Sequence, residues 1–157
     1  MIVVADTSPL NYLIQIGCDT LLPEIYGRIL VPPTVMQELG HPRAPAAVKA
    51  WLLKIPSWIE IHMLHLPPDS TLAFLDPGER EALQLAQEQH ADLLLIDERK
   101  GRTEARCRGL STTGTLGVLL AAGERGLLDP KAAYRRLITQ TKFRTTATLQ
   151  AKFFDEQ

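Results

Sequence analysis

The chain has little cysteine, no long apolar run and almost no net charge. Each shortage removes a class of protein. Two cysteines, Cys18 and Cys107, are too few for a disulfide framework, and they read as buried thiols in a reducing compartment. No stretch approaches the roughly 20 apolar residues that span a bilayer. The opening "MIVVADTSP" lacks the basic start of a secretory leader and meets an acid at Asp6. A soluble, cytoplasmic protein with no membrane association is expected. A formal net charge of −1 gives no global field for a polyanion, so any nucleic-acid contact must come from a local patch. Internal repeats and low-complexity tracts are also missing. So are phosphate-cradling loops, since neither G-x-x-x-x-G-K-[ST] nor G-x-G-x-x-G occurs. Without a G-x-S-x-G elbow an α/β-hydrolase is disfavoured. "HMLH" would turn His62 and His65 to opposite faces of a strand, with no third ligand evident, which argues against zinc.

What is present is a core. Hydrophobic residues make up 45% of 157, enough for one domain over 1–157. "IVVA" reads as a strand ending at Asp6. "TSPLNYLIQIG" then reads as a helix, with Ser8 as N-cap, Pro9 first and Gly17 as stop. "GRILVPP" is a second strand, and "PTVMQELG" and "APAAVKAWLLKI" are helices. "WIEIHMLHL" is extended and edge-like, and "PPDSTLAFLDPG" is a loop or partial helix. "DPGEREALQLAQEQH" is the clearest helix, with Asp76 as N-cap and Pro77 first. "ADLLLI" is apolar throughout, as a strand buried on both faces must be. "RKGRTEARCRG" is a basic helix, a short strand follows near "GLST", and "GTLGVLLAAGERG", "DPKAAYRRLITQ" and "TATLQAKFFDEQ" are helices. The alternation implies an α/β protein with a parallel sheet and helices on both faces.

Ligands of such sheets bind at the carboxyl ends of strands. Asp6 ends "IVVA" and Asp97 ends "LLLI"; Glu38 lies just past the second strand, and Glu79 in the helix that leads to the Asp97 strand. Four carboxylates can thus converge on one edge. Together they repel and lose hydration unless something positive sits between them. Oxygen donors suit Mg²⁺ or Mn²⁺, which can lower the pKa of a bound water and stabilise charge on a phosphoryl oxygen. Each acid also has an ordinary use. Glu79 three residues after Asp76 makes a capping box, Asp6 can begin a turn, Glu38 can be solvated, and Asp97 can cap the basic helix.

"VADTSPLNYL", "VPPTVMQELG", "DPGEREALQLAQE", "LLLIDERKGR" and "TTGTLGVLL" resemble, in order, the motifs of PIN domains. The likeness runs from about residue 2 to residue 140. It is greatest to the small prokaryotic branch, with a D-T-S-P start and a G-E-x-E-A helix, that is related to VapC-type toxins. The resemblance implies a three-layer α/β/α sandwich with a central parallel sheet, and a Mg²⁺- or Mn²⁺-dependent ribonuclease. By the same resemblance Asp6, Glu38, Glu79 and Asp97 are the catalytic and metal-holding acids, supported by Thr7 and Ser8. Glu79 stands where VapC-type toxins more often have aspartate, which puts metal affinity in question; Glu81 and Glu98 are acids in reserve. The implied partners are an RNA substrate, a small antitoxin protein and a second copy of the chain. The apolar "GTLGVLLAAG" helix, with more Leu and Val than one buried face uses, also suggests a homodimer.

Residues 99–108 hold five of the chain's 17 Lys and Arg. Arg99, Lys100, Arg102 and Arg106 read either as a solvated helix face or as a phosphate track beside the acids. Trp51, Trp58, Leu72 and Phe74 read as packing. Two rivals stay open: a non-catalytic PIN-like module that binds nucleic acid or protein, and a receiver-type domain using Asp6. The second lacks the further acids such a site needs.

Overall fold

The computed structural model describes residues 1–154. Five short strands form one sheet in the order β3-β2-β1-β4-β5, every pair parallel. They are β1 (Val3–Ala5), β2 (Ile29–Val31), β3 (Ile59–Ile61), β4 (Leu93–Leu95) and β5 (Thr112–Thr113). The helices joining them are α1 (Thr7–Gln15), α2 (Leu21–Tyr26), α3 (Pro33–Leu39), α4 (Ala46–Leu53), α5 (Pro77–Glu88), α6 (Arg99–Cys107), α7 (Thr115–Glu124), α8 (Pro130–Gln140) and α9 (Ala147–Phe154). They make the outer layers of an α/β/α sandwich, as the alternation implied.

The central strands are apolar because both faces are covered. Val3, Val4 and Ala5 of β1, and Leu94, Leu95 and Ile96 at β4, are fully buried. α5 lies against both strands and touches α3 and α6. α7 packs on α1, α2, α8 and β5, and buries Leu116, Val118, Leu119 and Ala122. Its surplus of Leu and Val is used within the chain, which removes the ground it offered for a homodimer.

Most elements fall where periodicity put them, and the departures have local causes. α1 starts at Thr7 with Asp6, not Ser8, in the N-cap position. Pro9 then sits in the first turn, where no N–H is needed for an intrahelical bond. α2 is an extra helix of six residues containing Pro23, too short to show a period. β3 ends at Ile61, so His62 and His65 lie beyond it and are not held on opposite faces. Their rings stand 5.9 Å apart, but the nearby Glu88 gives its oxygens to the N–H groups of His65 and Leu66 and to Gln84 Nε2. Residues 155–157, the end of the expected last helix and domain, lie outside the described residues. Among the described residues no helix is long and apolar enough to cross a membrane.

Candidate active site

The order in which strands are added reverses at the centre of the sheet. β2 and β3 build out from one side of β1, while β4 and β5 build out from the other. The connections part there and leave a crevice at the carboxyl ends of β1 and β4. Asp6 follows β1 directly, and its N–H still pairs with the Leu95 carbonyl at 2.9 Å. Asp97 follows Ile96 just past β4.

The Asp6 side chain is 3% exposed, and its Oδ1 has no hydrogen-bond partner among the described residues. It makes no side-chain cap bond to α1. Burial pushes its carboxyl up to about 7; the Thr7 N–H opposes this, and the charges of Glu38, Asp97 and Asp76 add to it. Glu79, in the first turn of α5, is 9% exposed. Burial pushes it up to about 8, followed by the charges of Asp6 and Asp76, a hydrogen bond with Asp76, and the charge of Glu98. Asp76 makes no side-chain cap bond, so the capping box that the spacing allowed is not formed. The two carboxyl groups turn to each other instead.

Asp97 is half-buried and firmly held. Thr115 donates to it twice, from its N–H to Oδ1 and from its hydroxyl to Oδ2, both at 2.7 Å. Burial raises its carboxyl, and those bonds, then Arg102, pull it back. Asp97 therefore caps α7, while Glu98 occupies the N-cap position of the basic helix α6. Glu38 is fixed too. Its oxygens accept from the Thr7 hydroxyl at 2.6 Å and from the Gly78 N–H at 3.0 Å. A Cβ on Gly78 would lie 2.3 Å from Glu38 Oε1, so only glycine admits this approach. Glu81 is engaged by the Thr34 hydroxyl.

A cleft of about 540 Å³ opens over this edge. Asp76, Glu79, Asp97 and Glu98 line it, with Ser8 and Tyr12 of α1. Asp6 lies beneath them, and Glu38 faces a smaller hollow of about 170 Å³ with Thr7, Asn11, His41 and Arg43. Of the bases in α6, Arg102 lines the cleft; Arg99, Lys100 and Arg106 are exposed on the same helix. Arg108 is tied to Asp69 and Glu104 at 2.9 Å and to the Thr71 hydroxyl at 2.8 Å, which makes it a structural clamp.

Among the described residues no three His, Cys, Asp or Glu side chains form a group spaced to hold a metal ion. The acids at the cleft, Asp76, Glu79, Asp97 and Glu98, with Asp6 beneath them, offer carboxylate oxygens, which is the chemistry a hard cation takes.

Several contributors escape sequence reasoning. Asp76 was legible only as a helix cap. Thr115 lies in "TTGTLGVLL", a stretch that carries the family likeness, but its bond to Asp97 spans 18 residues and leaves no local pattern. Lys142 and Arg144 line the cleft from a segment with no motif at all.

A family model described as "DUF3368: PIN domain" matches residues 2–156. No curated protein and no solved structure matches the chain.

Proposed function

Because the chain belongs to the PIN-domain family, a family of nucleases in general, we propose that it is a metal-dependent endoribonuclease and the toxin half of a toxin–antitoxin pair. One observation carries this reading: the partnerless, buried Asp6 oxygen among Glu38, Asp76, Glu79 and Asp97. An ionised carboxylate in that place is costly unless something positive meets it. An oxygen-only donor set fits Mg²⁺ or Mn²⁺. In this reading Asp6, Glu38, Glu79 and Asp97, with Asp76 beside them, would hold the ion only after their side chains shift toward it, since as placed no three of them are spaced to do so. When bound, the ion supplies positive charge against the negative charge that builds on a phosphoryl oxygen.

The chain's own residues do the positioning. Thr115 orients the Asp97 carboxylate through two bonds. Thr7 and the Gly78 N–H do the same for Glu38. Glu79 releases the proton that it keeps through burial and its bond to Asp76. Arg102, on the cleft wall, draws a phosphate toward the acids.

Full-length protein should cleave a labelled RNA only with Mn²⁺ or Mg²⁺, and Asp6→Asn should abolish cleavage while the protein stays folded. Folded wild type that cuts no RNA with either ion would remove the reading. Expression in a bacterial host should arrest growth, and Asp6→Asn should lift the arrest. The burial that raises the Glu79 carboxyl favours a second reading, a non-catalytic PIN module that binds nucleic acid. Metal-independent RNA binding without cleavage would select it.

A further inference from the structure

Part of the cleft wall comes from the end of the described chain. After α8, residues 141–146 run without regular structure into α9, and Lys142, Phe143, Arg144, Leu149 and Phe153 all line the cleft. The segment is anchored rather than loose. Phe153 is 4% exposed and stacks on Tyr134 with ring centroids 4.6 Å apart. The Tyr134 hydroxyl donates to Thr145 Oγ1 at 2.6 Å. Phe143 meets Tyr12 of α1 edge-on at 5.2 Å, and its N–H donates to Thr141 Oγ1 at 3.0 Å. Phe143 thus goes down onto the domain, while its neighbours Lys142 and Arg144 stay exposed at the rim.

Charge gives this wall a use. The cleft is lined by four acids and three bases, and two of those bases are Lys142 and Arg144. Without them four carboxylates would face Arg102 alone, a surface that repels a phosphodiester. The two cations do not plug the site. Among the described residues neither makes an ion pair with an acid, whereas Arg108, just past α6, has spent its charge on Asp69 and Glu104. Arg144 and Asp97 both act on the Tyr12 hydroxyl, with opposite signs, so each lies near that side chain.

We propose that Lys142 and Arg144 bind the phosphates of a single RNA strand as it passes the acids, with Phe143 on Tyr12 holding both at the rim. The inference rests on the ribonuclease reading and names the part of the chain that receives its substrate. A single strand is specified because a groove between two cationic rims suits one flexible backbone.

The test uses full-length protein and a fluorescent single-stranded RNA, with binding read in EDTA, where a metal-dependent cut cannot proceed, and cleavage read separately with Mn²⁺. The Lys142→Ala/Arg144→Ala double variant should lose affinity by tenfold or more. Its log–log salt slope should be shallower by about 1.4, near 0.7 for each single-strand phosphate that is no longer neutralised. Lys142→Arg/Arg144→Lys should restore both, since charge is kept. Unchanged melting temperature and Mn²⁺ affinity in the double Ala variant establish that the fold and the acids are intact. Equal affinity and slope in that variant, while wild type binds and cleaves, would overturn the inference and leave the ribonuclease reading standing. Tighter binding by the variant would overturn it in favour of a segment that blocks the cleft. Wild type that neither binds nor cleaves RNA would overturn both.

Discussion

Asp6→Asn should stabilise the metal-free protein, and the gain should depend on pH. Asp6 is 3% exposed, its Oδ1 has no partner among the described residues, and its carboxyl is pushed from 3.8 up to about 7. Between those values the folded chain holds a proton that the unfolded chain has lost. The contribution to stability is therefore full below about pH 4 and is lost as pH rises through about 7. At about 1.4 kcal/mol per tenfold change in proton affinity, the ionised group costs at most about 4 kcal/mol at pH 8. Asparagine keeps the shape and an acceptor for the Thr7 N–H, and it removes the charge that also burdens Glu79. For a chain of this size each kcal/mol moves the melting temperature by about 2–4 °C, so the bound corresponds to roughly 8–16 °C. Scanning fluorimetry in EDTA should show the variant level with wild type near pH 4 and well above it at pH 8. Adding Mn²⁺ at 100 times its dissociation constant should raise wild type by about 2.7 kcal/mol and leave the variant behind. A variant less stable than wild type at pH 8, or a difference that ignores pH, would refute the view of Asp6 as a strained, ion-seeking carboxylate.

Thr115→Val should cost about 1–2 kcal/mol, since it strips one donor from Asp97 Oδ2, and should move the acidic limb of the pH–rate profile upward because that bond holds the Asp97 carboxyl down. An unmoved limb would mean Asp97 does not titrate in the reaction. Gly78→Ala should destabilise by about 1–3 kcal/mol and impair cleavage although no acid is removed, because the new Cβ meets Glu38 Oε1 at 2.3 Å; denaturant melts and a cleavage assay check it. Arg102→Glu should weaken RNA binding severalfold, and Arg106→Glu far less, since of the two it is Arg102 that lines the cleft; equal losses in filter binding would restore the whole helix as a track. Sedimentation velocity should give about 35 kDa for the expected homodimer of a 17.4 kDa chain, and a monomer at micromolar concentration would dismiss it.

The strand-end acids were legible because the physics is local. "IVVA" and "LLLI" are too apolar to stand in water and too short to be helices, so the acids that stop them must emerge at a sheet edge. The sheet order was not legible, because nothing in three-residue strands encodes which neighbour each one chooses. That order is what makes Asp6 and Asp97 neighbours. The partners that tune the acids are also non-local. Thr7 reaches Glu38 across 31 residues, and Gly78 reaches it across 40. The spacing of Asp76 and Glu79 fitted a capping box, and the fold turns Glu79 into the buried site, beside Asp76, instead. The basic run after Asp97 was visible as charge, but only a fold separates Arg102 at the cleft from Arg108 in its clamp.

The two hydrogen bonds that Thr115 donates to Asp97 tie the strand-end acid to α7. Thr115 is the first residue of α7, α7 packs on α8, and α8 packs on α9, whose Leu149 and Phe153 line the cleft. A cation that draws on Asp97 therefore pulls at the head of a stack of helices that ends beside Lys142 and Arg144. Thermodynamics makes such a connection reciprocal. If an ion at the acids multiplies the affinity of the rim for a polyanion by some factor, the polyanion multiplies the affinity of the acids for the ion by the same factor. Ion and nucleic acid would then load as a linked pair, and neither dissociation constant would be a fixed property of the protein without a stated concentration of the other.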